Sequence, residues 1–87
     1  MQLLYINADF DKYGLDTKIY DSIESFVQAR IGIAYNLLEL EAFAKEEDEE
    51  YLDEVFVLNL LKNGSHEDWW STEEVWLIED GKFKQGI

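Results

Sequence analysis

The sequence predicts an α+β fold: one long amphipathic helix packed on a small, mostly antiparallel sheet of three to five strands, in the order β-(β)-α-β-β-β. Three observations carry that expectation. Residues 2 to 7 (QLLYIN) are a short apolar run of strand-forming types, and apolar residues recur at helical period from Ile23 to Ala44. Asp80-Gly81 then separates two strand-like runs, Glu73 to Glu79 (EEVWLIE) and Lys82-Phe83-Lys84.

Taken in order, the opening run reads as a strand buried on both faces, because its residues are apolar at both parities. Ala8 to Asp16 (ADFDKYGLD) mixes Asp with a Gly, the composition of a surface loop, and Thr17 to Tyr20 can add a short edge strand. Asp21 followed three residues later by Glu24 is a capping-box pattern, which starts a helix at about Ser22. Ile23, Phe26, Val27, Ile31, Ala34, Leu38 and Ala42 then share one face, widened by Ile33, Leu37, Leu40 and Ala44. Ser25, Gln28, Gly32, Asn36 and Glu39 line the other. That apolar arc is wider than one sheet face requires: either the helix is simply well covered in a small protein, or it offers a second contact, including a homodimer through it. Arg30 lies within the stripe with no acid at helical spacing. An unpaired buried guanidinium is very costly, so either a distant Asp or Glu meets it or its stem covers the core with the head in water.

From Asp53 to Leu61 (DEVFVLNLL) the signals conflict. Acids before it and Lys62-Asn63-Gly64 after it resemble helix termini, while Val55-Phe56-Val57 favours a strand, and a central strand is the reading adopted. Asp-Gly at residues 80 and 81 is the signature of a type I′ hairpin turn.

A chain of 87 residues suits one small acidic domain spanning residues 1–87. Its 47% apolar content separates it from acidic disordered tails, so it should fold. Without cysteine it has neither a disulfide framework nor a thiolate metal site, and a cytoplasmic setting is expected. The apolar N-terminal run breaks at Asn7, Asp9 and Asp11, which argues against a secretory signal or membrane span. A net charge of −13 repels nucleic acid and anionic lipid, so direct binding to either is not expected.

Charge is concentrated between Glu39 and Glu54. Nine acids lie there (Glu39, Glu41, Glu46, Glu47, Asp48, Glu49, Glu50, Asp53, Glu54) against the single cation Lys45. Such a run is either a solvated connection or a docking surface for something basic. Carboxylates recur at about 1.5 Å per residue along a helix or about 3.3 Å in extended chain, close enough to the phosphate spacing of about 3.4 Å per strand for the run to imitate a polynucleotide. A second acidic group, Glu67, Asp68, Glu73 and Glu74, surrounds Trp69-Trp70. Tryptophan is enriched at binding hot spots, and in so small a protein one of the pair is expected to plug the core and the other to anchor a partner.

No catalytic signature survives inspection. Ser65, His66, Glu67 and Asp68 supply nucleophile, base and acid types, but adjacent residues rarely form a triad, whose members come from separated segments. Asp9 and Asp11, with Gly14 at the sixth position, begin like a calcium loop, yet the fifth position is Tyr13 and the twelfth is Tyr20; a solvated loop is favoured over a lone divalent ion held by Asp9, Asp11 and Asp16, so no metal and no cofactor is expected. The carboxylates of the acidic run lack the contrast in solvation that a glycosidase pair needs.

The short, acidic, arginine-poor profile resembles the nucleic-acid mimics that phages use against host defence nucleases, the anti-CRISPR and anti-restriction proteins. The closing Gly81-Lys82-Phe83-Lys84-Gln85-Gly86 is similar to the end of the colicin DNase immunity proteins. Their paired tyrosines are missing and a strand-rich second half departs from their four-helix fold, so no site is carried over. These resemblances imply a non-catalytic inhibitor in a host–virus setting, cytoplasmic in the bacterial host. It would occupy the basic groove of a nuclease or CRISPR effector with Glu46, Glu47, Asp48, Glu49, Glu50, Asp53, Glu54, Glu67 and Asp68 as phosphate surrogates and Trp69 or Trp70 as anchor. An immunity protein against a nuclease toxin, or an accessory interaction subunit, are the alternatives.

Overall fold

The structure, a computed structural model, describes residues 1–10, 14–47 and 52–87. Its elements run β1 (Gln2–Asp9), β2 (Gly14–Tyr20), α1 (Ile23–Ile31), α2 (Leu37–Glu46), α3 (Asp53–Asn63), β3 (Ser65–Glu67), β4 (Ser71–Glu79) and β5 (Lys82–Gln85). The fold is α+β, a five-stranded antiparallel sheet with three helices. β1 lies between β2 and β4, with Leu3 opposite both Tyr20 and Leu77. The far edge of β4 is shared by β3, beside residues 72–74, and β5, beside residues 76–79. The β4–β5 turn has the expected chemistry, with Asp80 and Gly81 both at positive φ, 52° and 74°.

The single long helix does not form. Gly32 adopts φ 85° and closes α1, donating its N–H to the Gln28 carbonyl at 2.8 Å. Asn36 then opens α2 through a reciprocal capping box: its side chain accepts from the Glu39 N–H at 2.8 Å, and Glu39 accepts from the Asn36 N–H at 3.1 Å. A left-handed stop followed by a strong start outweighs the apolar period that runs across both. Ile33 falls in the link between the two helices and Leu38 in α2, both exposed, so the apolar arc expected of one helix is divided between elements. At the start of α1 the cap is Ser22, accepting from the Ser25 N–H, rather than the Asp21–Glu24 box.

Residues 53–61 are helical, not a strand. Asp53 and Glu54 lie in the first turn of α3, Lys62 in the last, and Gly64 caps it at φ 77°. These terminus signals prevail over the β-propensity of Val55-Phe56-Val57 because helical spacing buries Val57, Leu58 and Leu61 together.

The core joins Leu3, Val75 and Leu77 of the sheet to Phe26 and Val27 of α1, Leu40 of α2 and Val57, Leu58, Leu60 and Leu61 of α3. All three helices therefore cover one face of the sheet. β1 is covered on that face only, contrary to the expectation of burial on both.

Candidate interaction site

The β3–β4 connection is held by a single carboxylate. Asp68 Oδ1 accepts the backbone N–H groups of Trp70 and Ser71, both at 2.8 Å, while the Asp68 N–H donates to the Ser71 carbonyl at 3.0 Å. The amide donors of Trp70 and then Ser71 hold the Asp68 carboxyl below its usual range. So braced, the turn leaves both tryptophans in water, Trp69 91% and Trp70 65% exposed, and neither plugs the core. The Trp70 carbonyl accepts from the Phe10 N–H at 2.9 Å, which brings a third exposed aromatic to the same corner. Phe10 escaped the sequence reading because it falls in an Asp-rich stretch; only the pairing of β1 with β4 places it here.

The acids near this corner divide by the pleat of the sheet. Glu67 ends β3 and is exposed. Glu73 and Glu74 point to opposite faces, and Glu73 is buried under the helices. Its two carboxylate oxygens lie 3.0 and 3.2 Å from Arg30 Nη2, and it accepts a short hydrogen bond from the Tyr5 hydroxyl. The Arg30 guanidinium also stands over the Phe56 ring, 5.5 Å from its centre. Arg30 thus meets a distant carboxylate, the first of the two alternatives that its place in the sequence allowed. Burial, and then the hydrogen bond to Glu73, push the Tyr5 phenol far above its ordinary value. This trio serves the core and takes Glu73 out of any surface cluster.

The acidic run also divides. Glu46 ends α2 and Glu47 is its C-cap, both exposed. Negative charge at a helix C-terminus opposes the dipole, so helix stability does not explain these two. Asp53, exposed, and Glu54, half-buried, occupy the first turn of α3, whose N-cap Leu52 makes no side-chain cap hydrogen bond. Their charge favours the helix by itself. Asp48, Glu49 and Glu50 lie outside the described residues, so the run is not seen as one continuous track.

Comparison of the chain with family models, curated proteins and solved structures finds no match. The site therefore rests on its own geometry.

The nucleophile and metal candidates stay apart. Ser65 and His66 are successive strand residues pointing to opposite faces, and the His66 ring packs edge-on to Phe56 with centres 4.9 Å apart. Its Nε2 is 4.0 Å from Asp68 Oδ2, too long for a hydrogen bond. Asp11 lies outside the described residues, and among those described no three His, Asp or Glu side chains gather as a metal site. No described helix is long and apolar enough to cross a membrane.

Proposed function

We propose that the protein is a non-catalytic inhibitor that binds the basic groove of a nucleic-acid-processing protein, of the anti-CRISPR or anti-restriction kind. The observation that carries this reading is the Asp68-braced turn, which fixes two neighbouring tryptophans in solvent on a body of charge −13. With the turn's backbone already braced, docking has only the indole rotamers left to order, and the aromatics supply desolvated contact that charge alone cannot. Within the two acidic clusters, the side chains of Glu46, Glu47 and Glu67 are described, exposed and outside the cap, brace and core contacts that engage their neighbours, and they are the surrogates for phosphate. Long-range attraction steers a cationic groove to this surface, and the tryptophans then set how long the complex lasts.

The test uses the immobilised full chain and a bacterial lysate. A bound protein should be displaced by duplex DNA or RNA and by rising salt, with capture reduced by about tenfold or more in Trp69→Ala/Trp70→Ala. Asp68→Ala should loosen the turn, seen as faster hydrogen exchange at the Trp70 and Ser71 amides, and should weaken capture while the core stays folded. A captured protein that resists both salt and nucleic acid would overturn the reading.

A further inference from the structure

The strand register defines a second broad surface, on the side of the sheet away from the helices. Leu3, Tyr5, Val75 and Leu77 face the core, so their neighbours Leu4, Ile6, Ala8, Trp76 and Ile78 face the other way. Across the sheet, Ile19 lies beside Leu4, Leu15 beside Ala8, and Phe83 beside Ile78. Leu15 is 68% exposed, Ile19 56% and Phe83 60%. An antiparallel sheet with one face in water normally alternates apolar with polar residues; here the outward set is as apolar as the inward one. No described element covers it.

We propose that this face is the interface of a symmetric dimer, two copies packing sheet on sheet. Charge selects the occupant. Acids crowd the helical layer and the turns, yet this face carries only Glu74 near its centre and Glu67 at its rim, and Glu74 is in contact with the Gln85 amide at 3.4 Å. A surface meant for a basic partner would carry acid, whereas a nearly uncharged one is complementary to another uncharged face, which a second copy supplies by symmetry. Area allows it. The molecule is a slab of 38 × 34 × 20 Å with the sheet on one broad side. Four strands about 4.8 Å apart and some seven residues long, at about 3.3 Å per residue, span roughly 450 Å² per copy, the size of a weak, reversible interface. The helices lie on the other side of the sheet and the tryptophans in the connection between β3 and β4, so the dimer face shares with the proposed docking surface only Glu67, at its rim, and the proposal does not depend on the inhibitor reading.

The two proposals respond to salt with opposite sign. Two anionic bodies repel, so the dimer should tighten as salt is added, whereas docking on a cationic groove should weaken. Sedimentation of the purified full chain should show a monomer–dimer equilibrium at micromolar concentration, weakened at least about tenfold by Ile19→Glu/Phe83→Glu. Both substituted positions are exposed, so the monomer should remain folded by circular dichroism. Leu38→Glu, on the helical layer, should leave the dimer unchanged. In a Trp69→Phe/Trp70→Phe background the single remaining tryptophan, Trp76, should shift its emission to shorter wavelength as the dimer forms. A chain that stays monomeric to millimolar concentration, a dimer indifferent to Ile19→Glu/Phe83→Glu, or one broken by Leu38→Glu would each overturn the proposal.

Discussion

Glu73 does at residue scale what its neighbours in the sequence do not: it turns inward and gives Arg30 and Tyr5 a common partner. Glu73→Ala would leave a half-buried hydroxyl and a half-exposed guanidinium without it, costing about 2 kcal/mol, less than a fully buried pair because both groups can turn to water. Tyr5→Phe removes one donor and should cost about 1 kcal/mol. The Tyr5 phenol also sets a pH dependence. Its folded value is raised above the unfolded one of about 10, so its contribution is complete below about pH 10 and declines as pH rises beyond it. Urea unfolding midpoints taken across that range should fall for the wild type and fall less for Tyr5→Phe. An identical decline in both would show that Tyr5 keeps no such partner. Sequence alone left Arg30 either a distant acid or water, and it could not choose among twenty Asp and Glu residues, because the choice depends on how α1 lies over β4.

The elements were legible where local chemistry and tertiary packing agree. Asp80-Gly81 fixes its hairpin by backbone conformation alone, and the β1 and β4 runs are apolar enough to leave no alternative. The helical half was misread where two local signals compete. Gly32 sits on the polar side of an uninterrupted apolar period, so its role as a stop shows only when Asn36-x-x-Glu39 is recognised as a fresh start. In α3 the flanking acids, Lys62 and Gly64 described a helix correctly, and the Val-Phe-Val triplet pointed elsewhere because β-propensity mostly reflects packing that the sequence does not display. Gly64 has a further duty that no pattern reveals. It ends α3, and the Val75 N–H donates to its carbonyl at 2.9 Å, while Gly86 takes the Val75 carbonyl at 3.0 Å, so β3 and β5 abut at one residue of β4. A Cβ on Gly64 would stand 2.7 Å from the Gly86 nitrogen at φ +77°. Gly64→Ala should therefore cost about 3 kcal/mol or more, combining left-handed strain with a clash against backbone. Gly32→Ala, at φ +85° but with open space around it, should cost only about 1 kcal/mol. Denaturant midpoints for the two variants separate the effects, and equal losses would mean that the approach of Gly64 to Gly86 is not tight.

For the whole molecule, charge sets a condition that neither the core nor any single contact relieves. The chain holds −13 within a radius of gyration of 12.9 Å. The Debye length is about 30 Å at 0.01 M salt and about 8 Å at 0.15 M, so carboxylates on opposite sides repel at the first ionic strength and are screened at the second. Unfolding moves like charges apart, and the folded state should therefore gain from salt, with the thermal midpoint rising by several degrees between those conditions. Glu46→Lys/Glu47→Lys removes two negative charges and adds two positive ones at exposed positions, and should reduce that salt dependence while raising the midpoint at low salt. The same variant should bind a cationic target less well, because the charges that strain the fold are the ones proposed to steer it. If Glu46→Lys/Glu47→Lys left stability at low salt unchanged, self-repulsion at the α2 terminus would be negligible. Those acids would then carry no cost that a partner must explain, and the argument for a basic groove would rest on the tryptophans alone.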